Sequence, residues 1–139
     1  MNLYVLDTDS VSLFQHGHPL VVQHADACTA GQLAVAVITV EEQLSGWYAE
    51  LRRTKPRDRL ADIYLRMATT VQFLSRMQIL PYTEAAMARV DQFKAAKLNV
   101  AKSDLRIAAI VLEHGAILVT RNLRDFRRIP GLTIEDWSV

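Results

Sequence analysis

The chain has 139 residues, of which 50% are apolar and 22% charged. A domain of this length buries about two thirds of the surface its unfolded chain exposes, and the composition excludes a disordered segment. Sixteen Lys and Arg against fifteen Asp and Glu leave a net charge of +1, which excludes a strongly basic nucleic-acid coat and an acidic tail but not a local basic patch.

In chain order, Leu3 to Leu6 is a short apolar run that reads as a buried strand and stops at Asp7. Ser10 to Gln15 allows one or two helical turns. Pro19 to Ala30 reads as a helix with Pro near its start and Gly31 just after its end. Leu33 to Ile38 predicts a second buried strand. Thr39 then opens a helix to about Arg53, its spacing to Glu42 fitting a capping box. Pro56 begins a long helix, Arg57 to Met77, with Leu60, Ile63, Tyr64, Met67, Val71 and Leu74 on one apolar stripe.

Gln78 to Tyr82 is a weaker strand, interrupted by Pro81. Thr83 caps a helix to about Lys97 with Ala86, Val90 and Phe93 inward. Ser103 caps another over Asp104 to His114, and Gly115 ends it. Ala116 to Val119 is a strand, Asn122 to Arg128 a turn or short helix, and Leu132 to Ile134 a last strand. Strands alternating with helices predict one α/β domain over residues 1–139, with a mostly parallel sheet of about five short strands covered on both faces. No run is long enough to span a bilayer, and the N-terminus lacks the basic lead and apolar core of a signal peptide. A single cysteine, Cys28, fits a reducing, cytoplasmic setting.

In parallel sheets ligands bind beyond the carboxyl ends of the strands. The acids gather there. Asp7 ends the first strand and Asp9 follows; Glu41 and Glu42 lie after the second; Asp104 opens the helix before the fourth; Asn122 and Asp125 follow the fourth. A carboxylate directly after a buried strand is costly unless paired or liganded, which singles out Asp7. Glu42, Asp104, Asp9 and Asp125 also have local readings, as helix-start or turn acids. Crowded carboxylates raise one another's pKa, a divalent cation removes that repulsion, and all-oxygen ligands favour Mg²⁺ or Mn²⁺. Such a centre suits phosphodiester hydrolysis by activated water, with Glu42 orienting the water or helping to hold the cation. In-line attack would leave a 5′-phosphate and a 3′-hydroxyl.

Two basic clusters accompany the acids: Arg52, Arg53, Lys55, Arg57 and Arg59 around Pro56, and Arg121, Arg124, Arg127 and Arg128 near the proposed site. Either could meet phosphates, and the second is better placed. His16, His18, His24 and His114 read as surface or structural groups, and Trp47 and Tyr48 as packing or partner-interface residues.

Three stretches carry a family resemblance: YVLDTDSVS at the start, ITVEEQLSG in the middle, and SDLRIAAIVLEHGAILVTRNLRDFRRIPGLTIEDW at the end. Together they resemble a PIN-domain ribonuclease, in particular the VapC toxins of bacterial toxin–antitoxin pairs; the helices from about Trp47 to Lys97 match only in character. The resemblance implies a three-layer α/β fold and a Mg²⁺- or Mn²⁺-dependent endoribonuclease. It also implies a homodimer held inactive by a small cognate VapB-type antitoxin, whose segment would present a basic group to the acids. It assigns the metal-binding acids to Asp7, Glu42 and Asp104, and a fourth site position to Asn122. Asn is neutral, so Asp125 could supply the missing charge; Thr120 matches a hydroxyl that the family places at the site. Arg121 and Arg124 are the candidate substrate contacts.

Other readings are open at this level. A PIN-like module could bind RNA or a partner without cutting, a reading motivated by Asn122. A PIN nuclease could act on single-stranded DNA. Asp7-Thr8-Asp9-Ser10-Val11 also resembles the start of haloacid-dehalogenase-like phosphatases, with Asp7 as nucleophile and Asp9 as acid/base, although the later acidic pair of that family is absent.

Overall fold

The computed structural model describes residues 1–139. Five strands form one sheet: β1 (Tyr4–Leu6), β2 (Leu33–Ala36), β3 (Gln78–Leu80), β4 (Ile117–Val119) and β5 (Thr133–Glu135). Their spatial order is β3-β2-β1-β4-β5, and every pairing is parallel. The helices are α1 (Thr8–Gln15), α2 (Pro19–Asp26), α3 (Val37–Arg53), α4 (Arg57–Leu74), α5 (Glu84–Ala95), α6 (Lys102–Glu113) and the short α7 (Leu123–Phe126). No helix is long and apolar enough to cross a membrane.

The three central strands, β2, β1 and β4, are buried on both faces, whereas the edge strands β3 and β5 are partly exposed. Alternate residues point to opposite sides of a strand. Val5, Ala34, Ala36 and Leu118 enter one buried cluster with Ile107, Ile110 and Val111 of α6 and with Ala86, Val90 and Phe93 of α5. Leu6, Val35 and Val119 enter the other with Val11, Val21, Leu74 and Trp137. The sheet is thus the middle of three layers. The three inward residues expected on the helix after Thr83 are all buried, and the Thr83 hydroxyl accepts from Ala86 N–H at 3.2 Å.

Several boundaries differ from the sequence reading. Ala36, not Thr39, is the N-cap of α3, so Thr39 makes no capping box with Glu42. The β-branched run Val37-Ile38-Thr39-Val40 reads as strand by propensity, yet tertiary burial places it in the helix's first turn, with Thr39 wholly enclosed. Ala101, not Ser103, caps α6, which puts Asp104 at the third helical residue. Helix α2 stops at Asp26, and Gly31 lies in a separate 3₁₀ turn. Along α4 the stripe is narrower than predicted: Ile63 and Leu74 are buried, but Tyr64 and Val71 are exposed, and Thr70 takes an inward position to receive a hydrogen bond from Trp47 Nε1 at 3.0 Å. Gly115 follows α6 with φ +56°, a left-handed conformation that glycine adopts without strain.

The chain leaves β1 for β2 and β3 on one side, then returns to β4 and β5 on the other. The point where this order reverses lies between β1 and β4, where an open parallel sheet leaves a crevice at its carboxyl edge. Leu6 pairs with Val35 on one side and Val119 on the other, and Asp7 N–H still bonds Val119 O at 3.0 Å. The next residues, Asp7 and Thr120, therefore meet at that crevice.

Candidate active site

Asp7 is 7% exposed and is the N-cap of α1, accepting from Ser10 N–H at 2.8 Å. Burial pushes its carboxyl above the usual carboxylate range. Hydrogen bonds from the Thr120 hydroxyl, Ser10 N–H and the Ser10 hydroxyl pull against that shift, while the Asp9 charge adds to it. Thr120 is fully enclosed and its Oγ1 also accepts from Asn122 N–H at 2.9 Å. One threonine thus ties the end of β4 to the acid at the end of β1.

Asp104 projects from the first turn of α6. Desolvation, followed by the charges of Asp7, Glu42 and Asp125, pushes its pKa up to about 6. The charges of three carboxylates from three other segments thus all act on Asp104. Glu42 comes from α3, where its carboxylate accepts from Thr8 Oγ1 at 2.6 Å, and Thr8 shares a further hydrogen bond with the buried Thr39 at 3.1 Å. Glu41, its neighbour, is exposed and takes no part in these bonds.

Asn122 is the N-cap of α7. Its Nδ2 donates to Asp125 Oδ2 at 3.0 Å, and its Oδ1 accepts from Asp125 N–H at 3.4 Å. The amide orients Asp125, and Asp125 carries the charge that acts on Asp104. Asp9 acts on Asp7 but is not among the charges that act on Asp104. Both its oxygens are engaged by Arg121, Nε at 2.7 Å and Nη2 at 3.1 Å. Arg124 is exposed and Arg128 bonds Asn99 O at 2.8 Å. The cluster around Pro56 is solvent-facing, with Arg53 paired to Glu50.

The histidines are occupied locally. His16 and His114 ring nitrogens meet carbonyls one turn back, His18 caps α2, and His24 stacks on Trp137. A groove of about 520 Å³ runs from Glu42 and Thr8 between α1, α3 and α4, lined by Trp47, Gln43, His16 and Arg66 among others. Trp47 therefore faces a groove as well as packing on Thr70. Sequence reasoning gave no site role to Thr8 and Ser10, for which the hydroxyl-rich Asp-Thr-Asp-Ser segment was the available signal, and read Thr39 as a helix cap rather than as the support of Thr8.

No three His, Cys, Asp or Glu side chains close into a ligand cage by themselves. The donor chemistry nevertheless fits a hard divalent cation: the donors are oxygens, and burial, with the negative charges of its neighbours, pushes the Asp104 carboxyl up to about 6.

Comparison with known proteins agrees with this architecture. The PIN domain family matches residues 4–132. Ribonuclease VapC2 of Haemophilus influenzae is 34% identical over 139 residues, covering 96% of this chain and 97% of its own. The tRNA(fMet)-specific endonuclease VapC of Salmonella typhimurium is 28% identical over 138 residues, covering 96% and 97%. A chain in the crystal structure of DNA-bound VapBC from Salmonella typhimurium superposes with a TM-score of 0.78 at 27% identity, covering 99% of each. The chain belongs to the PIN-domain family and, within it, to the VapC ribonucleases. The phosphatase reading of Asp7 and Asp9 is thereby set aside.

Proposed function

We propose that the protein is a divalent-cation-dependent endoribonuclease, the toxin of a VapBC-type pair, working in the cytosol as a homodimer. The observation that carries this reading is that the charges of Asp7, Glu42 and Asp125 all act on the half-buried Asp104, whose carboxyl burial and those charges push up to about 6. Asp7, Glu42 and Asp104 would hold Mg²⁺ or Mn²⁺. When bound, such a cation supplies Lewis-acid chemistry, acidifying water and screening the scissile phosphate.

The chain's own residues do the rest. Hydrogen bonds from Thr120 and Ser10 offset part of the burial that raises the Asp7 carboxyl above its ordinary range. Thr8 fixes one oxygen of Glu42, leaving the other to accept a proton from the attacking water. Asn122 aims Asp125 and fixes the loop after β4. Arg121 and Arg124, exposed beside the acids, meet RNA phosphates that the acids alone would repel. Water attacking in line displaces the 3′-oxygen, which takes up a proton, leaving a 5′-phosphate and a 3′-hydroxyl. The antitoxin segment would lie along the groove that ends at Glu42 and present a basic group to the acids. Tyr64 and Val71, exposed on α4, leave apolar surface of the kind a protein partner covers.

The test uses purified protein and bulk bacterial tRNA, with Mg²⁺, Mn²⁺ or chelator, and analyses the product termini. Cation-dependent cutting that leaves 5′-phosphates supports the reading. Cyclic-phosphate ends mean attack by the RNA 2′-hydroxyl and overturn the mechanism; binding without cutting under either cation overturns the activity.

A further inference from the structure

Arg121 and Asp9 stand at the mouth of the acid cluster, joined by the fork-to-fork geometry in which a guanidinium also grips a phosphate. Asp9 is the second residue of α1 and Arg121 the second residue beyond β4, so the pair bridges the two segments that supply Asp7 and Thr120. Neither residue is needed to fill the core: their side chains are 49% and 52% exposed. The negative charges of Asp7 and Asp136 also act on Arg121. Arg121 thus feels the acid at the end of β1, while the Nε–Nη2 edge of its guanidinium is taken by Asp9.

We propose that Asp9 is an internal stand-in for an RNA phosphate: it holds Arg121 in place in the free protein and is exchanged for a phosphate when RNA binds. This rests on the nuclease reading above and concerns how its substrate is admitted. The exchange makes Asp9 a positioning residue and a competitor, separate from the cation-holding acids. A pair in water is weak enough to open, and a phosphate offers the same two acceptors with more charge. Each binding event then breaks one bidentate contact and forms another. The site's intrinsic RNA affinity is held below what Arg121 alone would give, and Arg121 is kept from drifting to Asp136 or to solvent.

The test measures binding of bulk tRNA in an Asp104→Asn background, which keeps RNA intact, at a series of NaCl concentrations. Asp9→Asn frees the guanidinium and is expected to tighten binding about two- to fivefold. Arg121→Ala weakens binding and lowers the salt slope by about one. Asp9→Asn added to Arg121→Ala is expected to change nothing further, because the stand-in has lost its partner. Equal tightening with and without Arg121 would mean direct repulsion of RNA by Asp9 and overturn the exchange. No tightening, or weaker binding, in Asp9→Asn overturns it as well. Asp9→Ser serves as a second removal of the charge, and melting temperatures check that each variant is folded. Cleavage of tRNA by the wild-type protein is followed in parallel. If cleavage persists while the Asp9 series is flat, the exchange alone fails; absence of any cation-dependent cleavage is a failure of the nuclease reading.

Discussion

The Thr8 hydroxyl donates to the Glu42 carboxylate at 2.6 Å, joining the first residue of α1 to the second turn of α3 across 34 positions of sequence. Thr39, buried beneath, shares a hydrogen bond with the same hydroxyl at 3.1 Å. Glu42 is therefore aimed by a hydroxyl from α1, which Thr39 of its own helix holds in turn.

Removing that hydroxyl should cost activity without unfolding the protein. Thr8→Val is expected to lower cation-dependent RNA cleavage about tenfold, the scale of one hydrogen bond to a charged group. Thr8→Ser should restore most of it. Initial rates at saturating RNA, with melting curves alongside, check this; equal rates for Val and Ser would show that Glu42 needs no such partner.

Asp104 predicts a trade of stability against function. Its folded pKa, about 6, lies above its ordinary 3.8, so the folded state binds the proton more tightly. Between about pH 4 and 6 the wild type therefore loses stability as pH rises, and the loss is complete above the folded pKa. A shift of about two units corresponds to about 3 kcal/mol, and half-burial with solvent screening reduces this to about 1 kcal/mol. Without divalent cation, Asp104→Asn should melt about 3 °C higher than wild type at pH 8 and equally at pH 4. Mg²⁺ or Mn²⁺ should raise the wild type's melting temperature and raise the variant's less.

The same proton competes with the cation. Cleavage should fall on the acid side at or below about pH 6, where Asp104 takes up its proton. Raising the Mn²⁺ concentration should move that limb to lower pH. A limb that stays fixed over a hundredfold range of Mn²⁺ would place the titrating group elsewhere.

Asn122 joins a cap to a site. Asn122→Ala removes the acceptor for Asp125 N–H and the donor to its carboxylate, and should destabilise the protein by about 1 kcal/mol. It should also weaken cation binding, read by calorimetry, because Asp125 is no longer aimed. Asn122→Asp keeps the acceptor for Asp125 N–H but sets a second carboxylate against Asp125, so it is expected to lose stability near neutral pH and to recover it when a divalent cation is added. A variant that loses stability with cation affinity intact would confine Asn122 to capping.

The sequence made the layers legible because the signals were strong. Short apolar runs ended by acids or turns gave the strands, and Thr83 with Ala86, Val90 and Phe93 gave a helix with its cap and buried face. It misplaced the starts of α3 and α6, where Thr39 and Ser103 look like caps but lie inside the first turn. Those starts are set by where β2 ends and where α6 packs on the sheet, and neither is a local property. Spacing along the chain found Asp7, Glu42, Asp104 and Asp125 as strand-end or helix-start acids. It could not find Thr8 aiming Glu42 or Arg121 gripping Asp9, because those contacts depend on strand order; the second spans 112 positions.

The most direct test of the acid cluster as a cation-dependent ribonuclease compares matched preparations of wild type and Asp104→Asn on total bacterial RNA. Each is incubated with Mg²⁺, Mn²⁺ or chelator, and the new 5′ ends are mapped. Cuts at a small set of positions that need the cation and vanish in the variant are expected. Identical patterns from both proteins, or cuts that survive the chelator, would contradict it.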